Sequence, residues 1–241
     1  MHYHELVDLT YDPAFSTLSD LRWTPWVGQN YAKSGIGKRL MIVGESHYAK
    51  GTQNEVVEVV MKNNSSDKEF TREVIWESPV SGDWSNRTLD VIPQIFMGGK
   101  GYRREEFWQG IAFYNFVQRM MNYEVKERPS EDDFKLGWTV FYDVLKILKP
   151  DYCIFLGSAA HHRFWASMKK TEADFSDVKR SEKIGRCWSY RAGIKIAEKE
   201  IPLVFIQHPG RCFSAPAWHS YLSRELPAEL SEIGNRYRTE E

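Results

Sequence analysis

The segment RLMIVGESHYAKG, residues 39–51, sets the reading of the whole chain. Leu40 to Val43 form a short apolar run that stops at Gly44. A run this short, bounded by glycine, is the pattern of a strand buried on both faces, as in a parallel sheet. Four groups able to share or exchange protons come directly after it: Glu45, Ser46, His47 and Tyr48. In open α/β sheets the crevice beyond the strands' carboxyl ends is where ligands bind, so these four residues mark a candidate site.

Working outward, the same unit recurs. IAFYNFVQ (111–118) reads as a second buried strand ending at Asn115, CIFLG (153–157) as a third, and IPLVFIQHPG (201–210) as the last. Between them, residues 52–78 read as largely helical, and RTLDVIPQIF (87–96) as a helical turn broken by Pro93. FKLGWTVFYDVLKIL (134–148) is a strongly amphipathic helix capped by the charged loop before it, and the tail from Ala215 is mostly helical. Residues 169–188 read as a surface excursion and residues 1–38 as a helix and loop extending the body. Strands alternating with helices predict an α/β fold: a central, mainly parallel four-stranded sheet with helices on both faces, in one domain spanning residues 1–241. The loaded residues then gather at one edge: GESHY, Asn115, the GSAAHH stretch with Ser158, His161 and His162, and His208.

Composition narrows the function classes. The formal net charge of −1 excludes a protein that coats nucleic acid non-specifically and leaves room for a local basic patch. Nine Trp among 14% aromatic residues either fill the core or stack planar rings. Cys153, Cys187 and Cys212 lie far apart with no CxxC, which argues against a disulfide framework, a structural zinc or an iron–sulfur cluster, so no cofactor or metal is expected. No apolar run approaches the roughly 18 residues of a membrane span, and the first ten residues lack a signal-peptide pattern. A cytoplasmic protein without membrane contact is expected.

MIVGESHY, FYNFVQ, LKPDYCIFLGSAA and VFIQHPGRCFSA, in this order and spacing, resemble the uracil-DNA glycosylase superfamily over roughly residues 38–222. In that family a strand runs into a G-Q-D-P-Y or G-E-A-P-G motif, a later strand carries a base-reading Asn, a third runs into L-G-x-x-A, and the last ends in H-P-S before a DNA wedge. The resemblance implies a monomeric, monofunctional DNA glycosylase that flips a nucleotide out of double-stranded DNA and hydrolyses its N-glycosidic bond. It implies catalytic roles for Glu45, Asn115 and His208: Glu45 towards the sugar and water, Asn115 on the base edge, His208 on the departing base. Gly44, Ser46, His47 and Tyr48 would line the nucleotide pocket, with Phe96 a candidate stacking ring. Ser158, Lys100, Arg103 and Arg104 would meet phosphates, and Gly210, Arg211, Cys212 and Phe213 would form the wedge loop.

The chain also departs from that pattern. Ser46 cannot act as a carboxylate base, His47 stands where the motif has proline, and HPGRC replaces HPSPL. Whether Glu45 or His47 handles the water's proton stays open, as does the identity of the wedge residue. The departures turn the reading away from uracil and towards a modified base. A bacterial branch that removes glucosylated hydroxymethylcytosine from phage DNA is the member type this chain resembles. The rival readings are a repair glycosylase for uracil or another deaminated base, a non-catalytic DNA-binding or inhibitor module on the same fold, and a hydrolase of free nucleosides.

Overall fold

The computed structural model describes residues 3–33, 37–210 and 212–239. In chain order the elements are α1 (Asp12–Phe15), β1 (Trp26–Val27), β2 (Leu40–Gly44), β3 (Tyr48–Ala49), α2 (Val57–Ser66), α3 (Phe70–Ile75), α4 (Arg87–Asp90), α5 (Ile92–Met97) and α6 (Arg104–Gln109). After these come β4 (Ala112–Asn115), β5 (Met121–Asn122), α7 (Glu131–Leu148), β6 (Tyr152–Leu156), α8 (Phe164–Met168), β7 (Asp174–Ile184), β8 (Cys187–Ile196), β9 (Lys199–Ile206), α9 (Ala215–Glu225) and α10 (Pro227–Tyr237).

The fold is α/β, as the alternation predicts, but the sheet is larger than four strands. Seven strands run in the order β1-β4-β2-β6-β9-β8-β7. The four expected strands, β4, β2, β6 and β9, are its parallel centre. β1 closes one edge antiparallel to β4, and β8 and β7 extend the other edge as an antiparallel hairpin. The residues read as a surface excursion therefore form all of β7, the hairpin turn and the start of β8. The N-terminal segment, read as helix and loop, supplies the edge strand β1.

Each central strand alternates between two core layers. Leu40, Ile42, Ile154, Leu156, Val204 and Ile206 face one layer, with residues of α5, α6, α9 and α10. Met41, Val43, Cys153, Phe155, Leu203 and Phe205 face the other, with residues of α7 and α8. Burial on both faces is why these strands read as unbroken apolar runs. Trp23, Trp26, Trp108, Trp138 and Trp218 are fully buried, so much of the tryptophan content is core.

Local signals set the helices. α7 opens on a capping box: the Ser130 hydroxyl accepts from the Asp133 N–H at 3.2 Å, and the Asp133 carboxylate accepts from the Ser130 N–H at 2.8 Å. Pro93 begins a new helix, α5, instead of ending one. After β6 the helix expected from Ser158 is a five-residue 3₁₀ turn, Ala159–Arg163, that leads into the short α8.

Register fixes where the strands stop. Gly44 lies opposite Asn115, Val43 opposite Phe155, and Phe155 opposite Phe205. The four central strands thus end within a residue or so of one level, and the segments just beyond their carboxyl ends meet at one edge.

Candidate functional site

Gly44 ends β2 where no side chain could fit. A Cβ there would lie 2.1 Å from Asn115 Oδ1, on the neighbouring strand. Beyond it the chain bonds onto β4's continuation: the Phe116 N–H donates to Gly44 O and the Val117 N–H to Glu45 O, both at 2.9 Å. These bonds turn Glu45 towards β6, where a Cβ on Gly157 would lie 3.2 Å from Glu45 Oε2. Gly157 has φ +130°, a conformation that side chains disfavour, so the backbone comes close to the carboxylate.

Glu45 borders a narrow cleft lined otherwise by Val43, Gly44, Phe116, Phe134, Phe155, Leu156, Gly157 and Ala160. It leaves about 10 Å³ for the centre of a water-sized molecule, about one water's worth and too little for a nucleobase. The Glu45 side chain is only 15% exposed. Burial raises its pKa above the ordinary carboxylate value, and Arg128 opposes that rise. The Arg128 guanidinium is 3.9 Å from Glu45 Oε1 and is itself 79% exposed. The chain thus holds a half-buried carboxylate against an apolar wall, tempered by one exposed cation.

His47 has the opposite setting. It is buried between Trp23 and Phe70, whose ring centroids lie 5.0 and 4.8 Å away, both edge-on. Its Nε2 lies 2.9 Å from the Asn115 amide nitrogen and 2.8 Å from the Thr71 hydroxyl. With the amide donating, Nε2 accepts and the ring proton sits on Nδ1. Burial lowers its pKa to about 3, so the imidazole is neutral across the physiological range and a poor base. Of the two candidates left open by the motif, Glu45 is the more basic.

The N-terminal segment builds part of this pocket. Buried Arg72 on α3 donates to Asp12, Glu69 and the Pro25 carbonyl, and the Trp23 indole donates to Asn64 O at 2.9 Å. Trp23, Phe70 and Thr71 carry no motif, and nothing in their local sequence marks them as site residues. Arg128 likewise sits in a charged loop that reads only as a connection. Ser46 and Tyr48, both half-buried, have buried hydroxyls that make no hydrogen bond among the described residues.

His208 lies just past β9 on the same edge. Solvent reaches it, yet the protein packed around it lowers its pKa, and Arg128 adds to the effect. One guanidinium therefore acts on both Glu45 and His208. The next residues are anchored from behind: the Thr88 hydroxyl donates to Pro209 O at 3.3 Å.

No protein-family model and no curated protein matches this chain. The site rests on its geometry. Gly44, Glu45, His47, Asn115, Ser158 and His208 come to one edge, but they divide into a carboxylate cleft beside β6 and a neutral His47–Asn115 pair beside α3.

Other expected residues lie elsewhere or are engaged. Phe96 is fully buried on α5 and packs on Phe107 at 5.9 Å, so it belongs to a core layer and not to a nucleotide pocket. Ser158 precedes only the 3₁₀ turn, which lacks the array of free N–H groups of a long helix start, so the helix-terminus argument for a phosphate fails there. Arg103 is tied to Glu106 and to the carbonyls of Arg236 and Arg238, so it anchors the C-terminal segment. Lys100 and Arg104 are exposed and line a polar hollow with Trp84, Asp90, Gln94 and Tyr102. In the wedge loop, half-buried Phe213 lies parallel to Trp218 with centroids 6.4 Å apart, and Gly210 is also half-buried. Cys212 is exposed with φ +64°, an uncommon conformation for a residue with a side chain. Arg211 lies outside the described residues.

Proposed function

We propose that this chain is a monofunctional DNA glycosylase of the uracil-DNA glycosylase type, working in the cytoplasm on double-stranded DNA. The observation that carries the reading is the half-buried Glu45 carboxylate beside a one-water cleft, on the same sheet edge as Asn115 and His208.

Those groups set the chemistry. The C1′–N bond breaks with its electrons passing to the departing base, and the sugar becomes cationic at C1′. Glu45, ionised, stabilises that cation, and its apolar surroundings strengthen the attraction. A water in the cleft bonds through its oxygen to C1′ while its proton passes to Glu45. His208, held neutral, donates an N–H to the base as negative charge builds there. Asn115 presents its amide to the base edge once a nucleotide displaces it from His47. The target enters by opening the crevice, since the cleft is too small for a base as it stands.

The substrate we propose is a modified cytosine, hydroxymethylated or glucosylated, of the kind found in phage DNA, which would make the protein an anti-phage enzyme. Supporting it are Ser46 and His47 in the positions where the uracil pattern has a carboxylate and a proline. The closed cleft favours one second reading, a non-catalytic DNA-binding module on the same fold.

An alkaline-cleavage assay for abasic sites tests all three. Uracil duplex, unmodified DNA and phage DNA carrying hydroxymethylated or glucosylated cytosine are each incubated with wild-type protein and with Glu45→Gln. Cleavage of modified DNA alone, lost by at least about a hundredfold in Glu45→Gln, is the expected result. Cleavage of the uracil strand moves the substrate to repair. Binding without any cleavage supports the non-catalytic module.

A further inference from the structure

Four cations lie close together in sequence on the β7–β8 hairpin. Lys179, Arg180, Lys183 and Arg186 are all exposed, and among the described residues none makes an ion pair, although most arginines of the protein do. Register puts Lys183 opposite Trp188 and Arg180 opposite Tyr190, so these four side chains share one face. The Arg180 guanidinium lies 4.9 Å above the Trp188 indole, and Tyr190 stacks on His161 at 3.7 Å, three residues beyond Ser158. Arg180, Lys183 and Trp188 therefore form a cationic, aromatic face that runs into the end of β6 and its crevice.

The hairpin reaches past the sheet at the right place. Tyr190 pairs with Phe205, one residue before β9 ends at Ile206. Continuing that register brings Trp188 and Cys187 level with Gln207 and His208. At about 3.3 Å per residue the tip stands roughly 10 Å beyond Tyr190. Ile184 and Cys187 pack on the same core layer as Phe213, so the tip and the loop after His208 are both anchored on that layer. Arg224 grips Glu182 with two 2.8 Å bonds, and Arg191 pairs with Glu225, so α9 braces the hairpin from behind. Glu182, the acidic residue of the stretch 179–186, is thereby neutralised.

We infer that this hairpin is a DNA-backbone arm, with Arg180, Lys183 and Arg186 contacting phosphates of the duplex beside the crevice and Trp188 holding Arg180 in position. The inference rests on the glycosylase reading for its ligand and adds the surface that tracks the duplex. A chain of near-zero net charge needs a local cationic feature to hold a polyanion, and these are unpaired cations on a braced support at the site's rim.

The test is a salt titration of binding to a short unmodified duplex, with every variant built in the Glu45→Gln protein so that nothing is turned over. Arg180→Ala/Lys183→Ala/Arg186→Ala should weaken binding at least tenfold near 0.1 M salt and flatten the log K against log[salt] slope by about 2 to 3. Arg186→Ala alone, at an exposed turn position, should remove about one unit of slope. Lys195→Ala, at the far end of the same hairpin, should change neither. Unchanged affinity and slope in the triple variant, with its melting temperature intact, overturns the arm. If the triple variant loses binding but wild-type protein excises no base from any DNA, the arm stands and the glycosylase reading falls. If the parent binds no DNA at all, both fall.

Discussion

On the glycosylase reading Arg128 touches the chemistry through charge alone, and removing it separates its effect from that of the groups it faces. Its cation lowers the pKa of Glu45, which burial has raised. In Arg128→Ala the Glu45 pKa rises further, so the acid limb of the excision rate against pH moves to higher pH. Added salt should move the wild-type limb in the same direction, because a guanidinium this exposed is readily screened. A limb that stays put in both experiments would remove Glu45 as the group whose ionisation it reports. Gly44 is tested through stability instead. In Gly44→Ala the new methyl meets Asn115 Oδ1 at 2.1 Å across two paired strands, and urea unfolding should register a loss of about 1–3 kcal/mol. The collision also pushes Asn115 off His47, so excision should fall by more than stability explains. These two residues differ in how far the sequence exposed them. Gly44 announces itself by ending an apolar run. Arg128 is one of several charges in a loop, and only the tertiary fold brings it to Glu45.

Among the elements, those that could be read were those whose burial leaves a pattern. β2, β6 and β9 are apolar on both faces, so each appears as an unbroken run. α7 carries a helical stripe and an explicit cap. β7 has neither kind of signal: it is an edge strand with polar residues on both sides, and two bulges break its alternation. Gly185, with φ +61° between the paired residues Ile184 and Cys187, was the one local sign of a hairpin. β1 is two residues long and owes its existence to pairing with β4, which no local pattern encodes. The explicit cap of α7 allows a quantitative check. Ser130→Ala removes the hydroxyl that satisfies the Asp133 N–H and should cost about 1 kcal/mol in urea unfolding. Asp133→Ala should cost more, because that carboxylate also accepts from Arg119 at 2.9 and 3.0 Å. Equal losses from the two would mean that the Arg119 bonds add nothing.

Across the whole molecule, groups with shifted protonation pull stability in opposite directions as pH changes. His47 and His161 have folded pKa values lowered by burial to about 3 and about 4, against an ordinary value of 6.5. Below pH 6.5 the unfolded chain therefore binds protons that the folded chain refuses, and acid destabilises the fold. Glu73 works the other way. Burial and its hydrogen bond to Asp67 raise its pKa to about 7 from an ordinary 4.5. Between those values the folded chain holds a proton that the unfolded chain has released, so this group loses stability as pH rises and gains it as pH falls. From pH 6.5 to 4.5 the Glu73 proton offsets only one of the two histidine protons, so the melting temperature should fall, but gently. Below 4.5 the Glu73 contribution is complete while the histidine penalty continues. The carboxylates of Asp133, Asp151, Glu127 and Glu229, whose folded pKa values are lowered, then add their own loss. The melting temperature should fall steeply from there. Glu73→Gln takes away the opposing group while leaving an amide that can still donate to Asp67. In that variant the protein should melt higher at pH 7 than wild type, and its stability should fall about twice as steeply between pH 6.5 and 4.5. If the variant keeps the wild-type slope, Glu73 does not offset a histidine.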